Sequence, residues 1–180
     1  TSEAGTTASA LAEACGIQAL AIHGRTRSCA YKGEAEYNTI AIVKQHLSIP
    51  VFANGDIDSV ASASQCQAVS QCADIMIGRG AVSRPDLVGL IKGTQAALTW
   101  PELVQWQLDF LDNMYQAVVQ PNTTHESYVK STEKGAIGRY KQWLAMMSQA
   151  WPPAAVLFEK VKRETSYSHI VSLVSESRCL

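Results

Sequence analysis

The chain has 180 residues, of which 47% are hydrophobic and 17% are charged, and its formal net charge is −1. This composition is typical of an ordinary globular protein of one domain, or of one compact unit with a small appendage. No apolar run reaches the roughly 18 residues of a membrane-spanning helix. Residues 1–15 have neither the basic start nor the apolar stretch of a signal peptide. We therefore expect a cytoplasmic protein without membrane spans.

The five cysteines indicate a reducing compartment rather than a fold held together by disulfides. Their number is odd, and no two of them form a Cys-x-x-Cys pair. A disulfide framework or a zinc knuckle is therefore not expected, and we predict no metal site. All five are interpreted as ordinary thiols in or near a core: Cys15, Cys29, Cys66, Cys72 and Cys179.

The charges are distributed unevenly along the chain. Residues 1–125 hold 7 Lys or Arg and 11 Asp or Glu, whereas residues 126–180 hold 8 Lys or Arg and 5 Asp or Glu. A basic C-terminal third could contact the phosphates of a nucleic acid. A solvated helical surface explains the same balance, so charge alone does not decide between the two.

The first 92 residues alternate between helix-like and strand-like segments. The strand-like segments are apolar throughout, which is typical of a parallel sheet buried on both faces. Gly16 follows the first helix as a stop signal, and Asn38 is the predicted N-cap of the second helix. In chain order we predict a helix over 4–15, a strand over 19–22, a helix over 38–47, a strand over 49–53, a helix over 59–69, a strand over 73–77 and a helix over 86–92.

Residues 94–180 show helical periodicity only, so we place a domain boundary near residues 93–99. Thr99 and Glu102 match a capping box at the start of a long helix whose apolar residues recur at helical spacing. Proline-containing segments separate the helices that follow. In chain order we predict a break at 121–124, a helix over 131–149, a break at 152–153, and helices over 154–164 and 167–174.

Each predicted strand ends in a turn that contains glycine. His23-Gly24-Arg25-Thr26 follows the first strand, Asn54-Gly55-Asp56 the second and Gly78-Arg79-Gly80 the third. Glycines at such positions let backbone N–H groups approach an anion closely, and a following helix N-terminus adds positive dipole. The second and third turns stand 24 residues apart at the ends of successive strand–helix units. Each alone is more often a plain turn, but together they favour a ligand that carries a phosphate.

Three side chains after the first strand could contact that ligand or a substrate. His23 could donate a hydrogen bond to a ring carbonyl or act near a bound substrate, although a lone histidine is more often structural. Arg25 and Arg27 could contact an anionic substrate, and the structural alternative for both is a salt bridge or plain exposure.

The strand-end sequences resemble those of the tRNA-dihydrouridine synthases in order and spacing over about residues 10–92. The segments that carry the resemblance are Ile22–Thr26, Ile49–Val51, Ala53–Ile57 and Met76–Ala81. The helical segment Arg139–Leu144 is similar to the helical domain of the bacterial C-type enzyme of this family. That enzyme acts on uridine 16 in the D-loop of tRNA.

The resemblance implies an α/β fold, in which residues 1–93 form the last three strands of a TIM (β/α)8 barrel. Residues 94–180 would then form an all-α helical domain that docks tRNA. Such enzymes hold FMN and use NADPH to reduce a tRNA uridine to 5,6-dihydrouridine. The flavin takes hydride from NADPH and passes it to C6 of the flipped-out uracil, and a cysteine protonates C5. The full-length enzyme is expected to be a monomer that has tRNA as its partner.

The resemblance also assigns roles to residues of this chain. His23 matches a histidine that contacts the flavin or the uracil, and the second and third turns match the two phosphate-side motifs. The residues assigned to cofactor binding are His23, Asn54, Gly55, Asp56, Gly78 and Arg79. The residues assigned to tRNA binding are Arg25, Arg139 and Lys141.

Two parts of the family pattern do not occur in this sequence. The proton-donating cysteine of the family lies in an Asn-x-Gly-Cys-Pro segment, and this chain contains no Gly-Cys-Pro. A flavin-contacting lysine would lie upstream of Thr1. Cys29 is not assigned as the catalyst, because the family pattern places none there. We therefore expect a partial sequence or a truncated product, which without the remaining strands is marginally stable and inactive.

Two other functions stay open as alternatives. Another FMN-dependent TIM-barrel oxidoreductase, similar to dihydroorotate dehydrogenase, would share the phosphate turns and act on a small substrate. The His23–Thr26 segment and the helical domain disfavour it. A non-catalytic RNA-binding remnant would explain the missing Gly-Cys-Pro and would work through its basic helical domain.

Overall fold

A computed structural model describes residues 2–25, 33–119 and 126–180, with side chains for 5–25, 33–116 and 134–180. The strands are β1 Leu20–His23, β2 Val51–Asn54 and β3 Asp74–Met76. The helices are α1 Ser2–Ala14, α2 Tyr37–Lys44, α3 Val60–Ser70, α4 Arg79–Ser83, α5 Leu87–Lys92, α6 Trp100–Val119, α7 Glu126–Met147, α8 Pro152–Val161 and α9 Tyr167–Glu176. Within these described ranges, no helix combines the length and the apolar character needed to cross a membrane.

The chain divides into two compact units. The first contains residues 1–81 and 85–95, and the second contains residues 82–84 and 96–180. The three described strands belong to the first unit, whereas α6, α7, α8 and α9 belong to the second.

The three strands form one parallel sheet in the order β1-β2-β3. The register pairs His23 with Asn54, and Asn54 with Met76. All three strands therefore end at the same level, and the turns that follow them leave the sheet along a single edge.

One face of the sheet packs against helices and forms the core of the first unit. Ile40 of α2 and Cys66 of α3 are fully buried there beside Ala53 of β2. Burial raises the pKa of the Cys66 thiol, so this thiol stays neutral. The buried cluster consists of Tyr37, Ile40, Val51, Ala53, Ile57, Ala63, Cys66 and Cys72.

The opposite face of the sheet is open, so the prediction of a sheet buried on both faces is wrong for this chain. Ala21, His23, Asp74 and Met76 are exposed, and 51% of Met76 is accessible to solvent. A barrel interior is covered only when enough strands close the sheet on itself, and three strands cannot do so.

The cysteines divide into two kinds. Cys66 and Cys72 are buried, in agreement with the prediction of core thiols, whereas Cys15 and Cys179 are exposed. The prediction is therefore wrong for the exposed pair, which lies near the two ends of the chain. Cys29 lies outside the described residues.

Most predicted helix boundaries differ from the observed ones by a few residues, and two of them concern a predicted cap and a predicted break. Helix α2 begins at Tyr37 after Glu36, and not after Asn38. The Tyr37 side chain packs in the core of the first unit, and its hydroxyl donates to the Gly55 carbonyl. Pro152 and Pro153 begin α8, where the fixed φ of proline suits the first helical turn. The predicted break at 121–124 lies outside the described residues.

Helix α6 starts with half of the predicted capping box. The Glu102 carboxylate accepts hydrogen bonds of 2.7 Å from the backbone N–H and from the hydroxyl of Thr99. These bonds lower the pKa of Glu102. The Thr99 hydroxyl thus donates to Glu102, whereas in the full motif it would accept from a helix N–H.

The helices of the second unit bury a core of their own. Tyr140 and Gln107 lie within it, and the Tyr140 hydroxyl donates to Gln107 Oε1 at 2.9 Å. Trp100 Nε1 donates to the Ser177 carbonyl at 2.7 Å, which links the start of α6 to the residues after α9. The buried apolar members are Trp100, Leu103, Val104, Leu111, Ile137, Tyr140, Leu144, Met147, Ala154, Leu157, Val161, Ile170 and Val174.

Candidate functional site

The end of β2 is hydrogen-bonded to both neighbouring strand ends. Asn54 Nδ2 donates to the Met76 carbonyl at 2.6 Å. On the other side, the Gly24 N–H donates to the Asn54 carbonyl at 2.8 Å. Because the strands end level, these bonds hold the starts of the three turns in fixed positions.

The turn after β2 depends on left-handed backbone conformations. Gly55 has a φ of 133° and Asp56 a φ of 48°. A Cβ at Gly55 would lie 2.7 Å from the Cβ of Ala35, so only glycine fits this position. The Tyr37 hydroxyl donates to the Gly55 carbonyl at 2.6 Å. Burial, as the main cause, raises the pKa of Tyr37 to about 12, so this donor keeps its proton.

The turn after β3 contains one open glycine and one tightly packed glycine. A Cβ at Gly78 would meet no atom within 4 Å. A Cβ at Gly80 would lie 1.9 Å from the Ile57 carbonyl oxygen, so α4 approaches the segment after β2 at a distance that only glycine permits. The structure therefore brings the two glycine turns side by side, with Arg79 exposed at the start of α4.

His23 lies at the end of β1 and is exposed. Its Nδ1 accepts a hydrogen bond of 3.0 Å from the Arg25 backbone N–H. A neutral imidazole that accepts at Nδ1 carries its proton on Nε2. The ring can therefore donate a hydrogen bond from Nε2 to an acceptor on a ligand.

The Arg25 side chain is held inside the first unit. Its guanidinium donates to the Gly33 carbonyl from Nε at 3.0 Å and from Nη2 at 2.6 Å. Nη2 also lies 2.5 Å from Asp56 Oδ2, and only 10% of the side chain is exposed. Asp56 Oδ2 accepts a further bond of 2.9 Å from the Ala35 N–H.

The glycine turns after β2 and β3 fit a phosphate group better through their backbone N–H groups than through the Asp56 carboxylate. An ionised carboxylate accepts hydrogen bonds only and repels another anion. Glycine N–H groups and the Arg79 side chain are the groups suited to a phosphate, and the space in front of Gly78 is open. The Arg25 ion pair offsets the charge of Asp56.

The two basic residues predicted to bind tRNA lie in the second unit, here called the helical unit, and have different surroundings. Arg139 is exposed, and its Nη1 lies 3.5 Å from Gln142 Oε1. Lys141 Nζ donates to the carbonyls of Lys162 at 3.1 Å and Glu164 at 2.5 Å. Lys141 thus caps the end of α8, whereas Arg139 projects from the surface of α7.

Sequence reasoning did not identify the segment that holds the first two turns together. Gly33, Ala35 and Tyr37 supply its contacts, and no motif in the sequence marks them. Thr26 and Arg27, which belong to the predicted loop, lie outside the described residues. Among the residues that are described, no three His, Cys, Asp or Glu side chains form a group that could hold a metal.

The family model and three curated relatives that match this chain all carry the name dihydrouridine synthase. The family model for dihydrouridine synthase matches residues 2–164. A tRNA-dihydrouridine(16) synthase of Cupriavidus necator is 37% identical over 87% of this chain and 45% of its own length. The enzymes of the same name from Haemophilus ducreyi and Aquipseudomonas alcaligenes are 33% and 35% identical over 90% and 94% of this chain, and over 46% and 51% of their own lengths.

The chain thus spans about half the length of the curated relatives that it matches. The match runs through both compact units, since it extends from α1 into the residues after α8. The chain belongs to the dihydrouridine synthase family.

Proposed function

We propose that this chain is part of an FMN-dependent tRNA-dihydrouridine synthase. The full-length polypeptide would reduce a uridine in the tRNA D-loop to 5,6-dihydrouridine with NADPH. Family membership and the names of the relatives support this proposal. The names of the relatives also support uridine 16 as the target. From the sequence resemblance we further propose a cytoplasmic location and a monomeric full-length enzyme.

The three-stranded sheet is proposed to be the last part of a (β/α)8 barrel. Its parallel order, its level strand ends and its helices on one face are the features that an arc of such a barrel has. The open face, which carries Ala21 and Met76, would then face the barrel interior. The first unit would hold the flavin phosphate and the helical unit would dock the tRNA.

The adjacency of the two glycine turns is the observation that carries this function. Backbone N–H groups of Gly55, Gly78 and their neighbours would hold the FMN phosphate, and Arg79 would balance its charge. FMN, when bound, supplies hydride transfer between the nicotinamide and the uracil. His23 would donate from Nε2 to a ring carbonyl of the flavin or the uracil.

Gly78→Asp tests the phosphate assignment in the full-length polypeptide that contains these residues. The open space at Gly78 accommodates the side chain, so the new carboxylate should act through charge. We expect FMN to bind at least about tenfold more weakly, equivalent to ~1.4 kcal/mol. The isosteric Gly78→Asn variant is the matched neutral control. Equal FMN affinities for the two variants, measured by quenching of flavin fluorescence, would remove the phosphate from this turn.

Arg139→Ala tests the proposed tRNA contact of the helical unit. Loss of one phosphate contact should reduce the slope of log affinity against log salt by about 1. Arg163→Ala removes another exposed arginine of the same unit and is the control for a general charge effect. The affinity for tRNA is measured at several salt concentrations for both variants. Identical slopes for the two variants would contradict a specific contact at Arg139.

Lys141 needs a separate measurement because of its structural bonds. Lys141→Ala is expected to lower the Tm of the helical unit, since two carbonyls at the end of α8 lose their donor. A weaker tRNA affinity of that variant is therefore interpretable only at a temperature where its circular dichroism spectrum equals that of the parent.

A further inference from the structure

We propose that the side chains of Arg25 and Asp56 act as a clamp that positions His23, and that neither side chain contacts the tRNA or the flavin phosphate directly. This inference rests on the proposed function, because His23 is taken there as a donor to the flavin or the uracil. The clamp assigns to the two residues a positioning role in the reaction.

The ion pair of Arg25 and Asp56 links two neighbouring turns. Arg25 follows β1 by two residues and Asp56 follows β2 by two residues, so the pair joins equivalent points of neighbouring turns. The distance from Nη2 to Oδ2 is 2.5 Å, and the side chains are 10% and 31% exposed. An arginine buried to this extent is not placed to bind a macromolecule at the surface.

Each of the two charged groups already has more than one partner. Two nitrogens of Arg25 donate to the Gly33 carbonyl, and one of them also contacts Asp56. Asp56 Oδ2 receives the Ala35 N–H in addition. The third guanidinium nitrogen, Nη1, is buried and has no hydrogen-bond partner among the residues that the structure describes. Arg25 thus depends strongly on Asp56, because a buried charge without its partner is costly.

The backbone of Arg25 links the clamp to His23. The backbone N–H that fixes Nδ1 of His23 belongs to Arg25 itself. The side chain of Arg25 is tied to the next turn, so its backbone N–H keeps a fixed direction. The imidazole is then confined to the tautomer with its proton on Nε2. Loss of the clamp frees the backbone at Arg25 and lets His23 populate both tautomers.

The left-handed φ of 48° at Asp56 makes a clean substitution possible. Glycine adopts this conformation freely, so Asp56→Gly removes both the charge and the acceptor, whereas the amide oxygen of an asparagine would still accept from Arg25. Arg25→Met removes the charge from the other side. Glu159→Gln, in the exposed ion pair with Lys162, is the matched control for loss of a surface carboxylate, which has little effect.

The test measures the ring nitrogens of His23 by ¹⁵N NMR in the FMN-loaded, full-length polypeptide labelled at histidine. The signal is assigned with a His23→Gln variant. We expect the parent and Glu159→Gln to show an unprotonated Nδ1 and a protonated Nε2. Asp56→Gly and Arg25→Met should both show averaged tautomers. If Arg25→Met does not fold, Asp56→Gly alone decides. An unchanged His23 signal in a folded variant overturns the clamp.

FMN affinity supplies the second measurement. Each single variant should bind FMN about tenfold more weakly, and the double variant should be no weaker than the worse single one, because both remove the same interaction. If the loss of FMN affinity in the double variant equals the product of the two single losses, the two contacts are independent and the clamp is overturned. If the parent polypeptide binds no FMN, the proposed function fails, whereas the His23 signal of the FMN-free protein still decides the clamp.

Discussion

Gly80→Ala is expected to destabilise the first unit by about 3 kcal/mol, near the upper end of the usual cost of overpacking. The added Cβ would lie 1.9 Å from the Ile57 carbonyl oxygen. A backbone atom cannot rotate away as a flexible side chain can, so α4 and the segment after β2 must separate. Urea unfolding followed by far-ultraviolet circular dichroism measures the change in unfolding free energy.

Gly78→Ala is the control for this prediction, because it makes the same chemical change two residues earlier. A Cβ at Gly78 meets nothing within 4 Å, and Gly78 has no left-handed φ. Replacing such a glycine by alanine stabilises a protein by about 0.4–1 kcal/mol through the unfolded chain. The unfolding free energy should therefore fall in Gly80→Ala and rise in Gly78→Ala. An equal loss of stability in the two variants would contradict the described packing of this turn.

Leu144→Ala is expected to lower the unfolding free energy of the helical unit by about 2–5 kcal/mol. Leu144 is fully buried in the core that α6, α7, α8 and α9 form. Removing three carbons there leaves a cavity that the surrounding side chains fill only in part.

Tryptophan fluorescence isolates this effect in the 180-residue chain. All four tryptophans, Trp100, Trp106, Trp143 and Trp151, belong to the second unit, so the urea transition seen by fluorescence reports that unit. Val156→Ala, at a position that is 47% exposed on α8, should change stability by less than about 0.5 kcal/mol. Equal effects of the two substitutions would contradict the burial of Leu144.

The sequence predicted the elements well where local periodicity and turn chemistry act together. The predicted helix over 59–69 is observed as α3 Val60–Ser70, and it begins at a serine that accepts a hydrogen bond from Ser62. The predicted strand over 73–77 is observed as β3 Asp74–Met76. Glycines mark the strand ends because backbone conformation and close packing require them, and these requirements are visible in the sequence.

Tertiary contacts decided the features that the sequence did not predict. Nothing local indicates that Tyr37, the first residue of α2, reaches the Gly55 carbonyl. The pairing of Arg25 with Asp56 joins residues 31 positions apart. Both arise from the level arrangement of the strands, which a pattern along one segment does not contain. The roles of Arg139 and Lys141 stay predictions, although only Arg139 is exposed.

The register of the sheet has a consequence for tolerance to insertions and deletions. His23, Asn54 and Met76 share one face because their strands are paired in phase, and side chains alternate between faces with a period of two. Adding or deleting one residue within β1 would exchange its faces and direct His23 toward the helices. The same change before β1, in the segment after Gly16, leaves the alternation of side chains within β1 intact. Single-residue insertions or deletions before Leu20 should therefore keep His23 on its face of the sheet, whereas those within β1 should not.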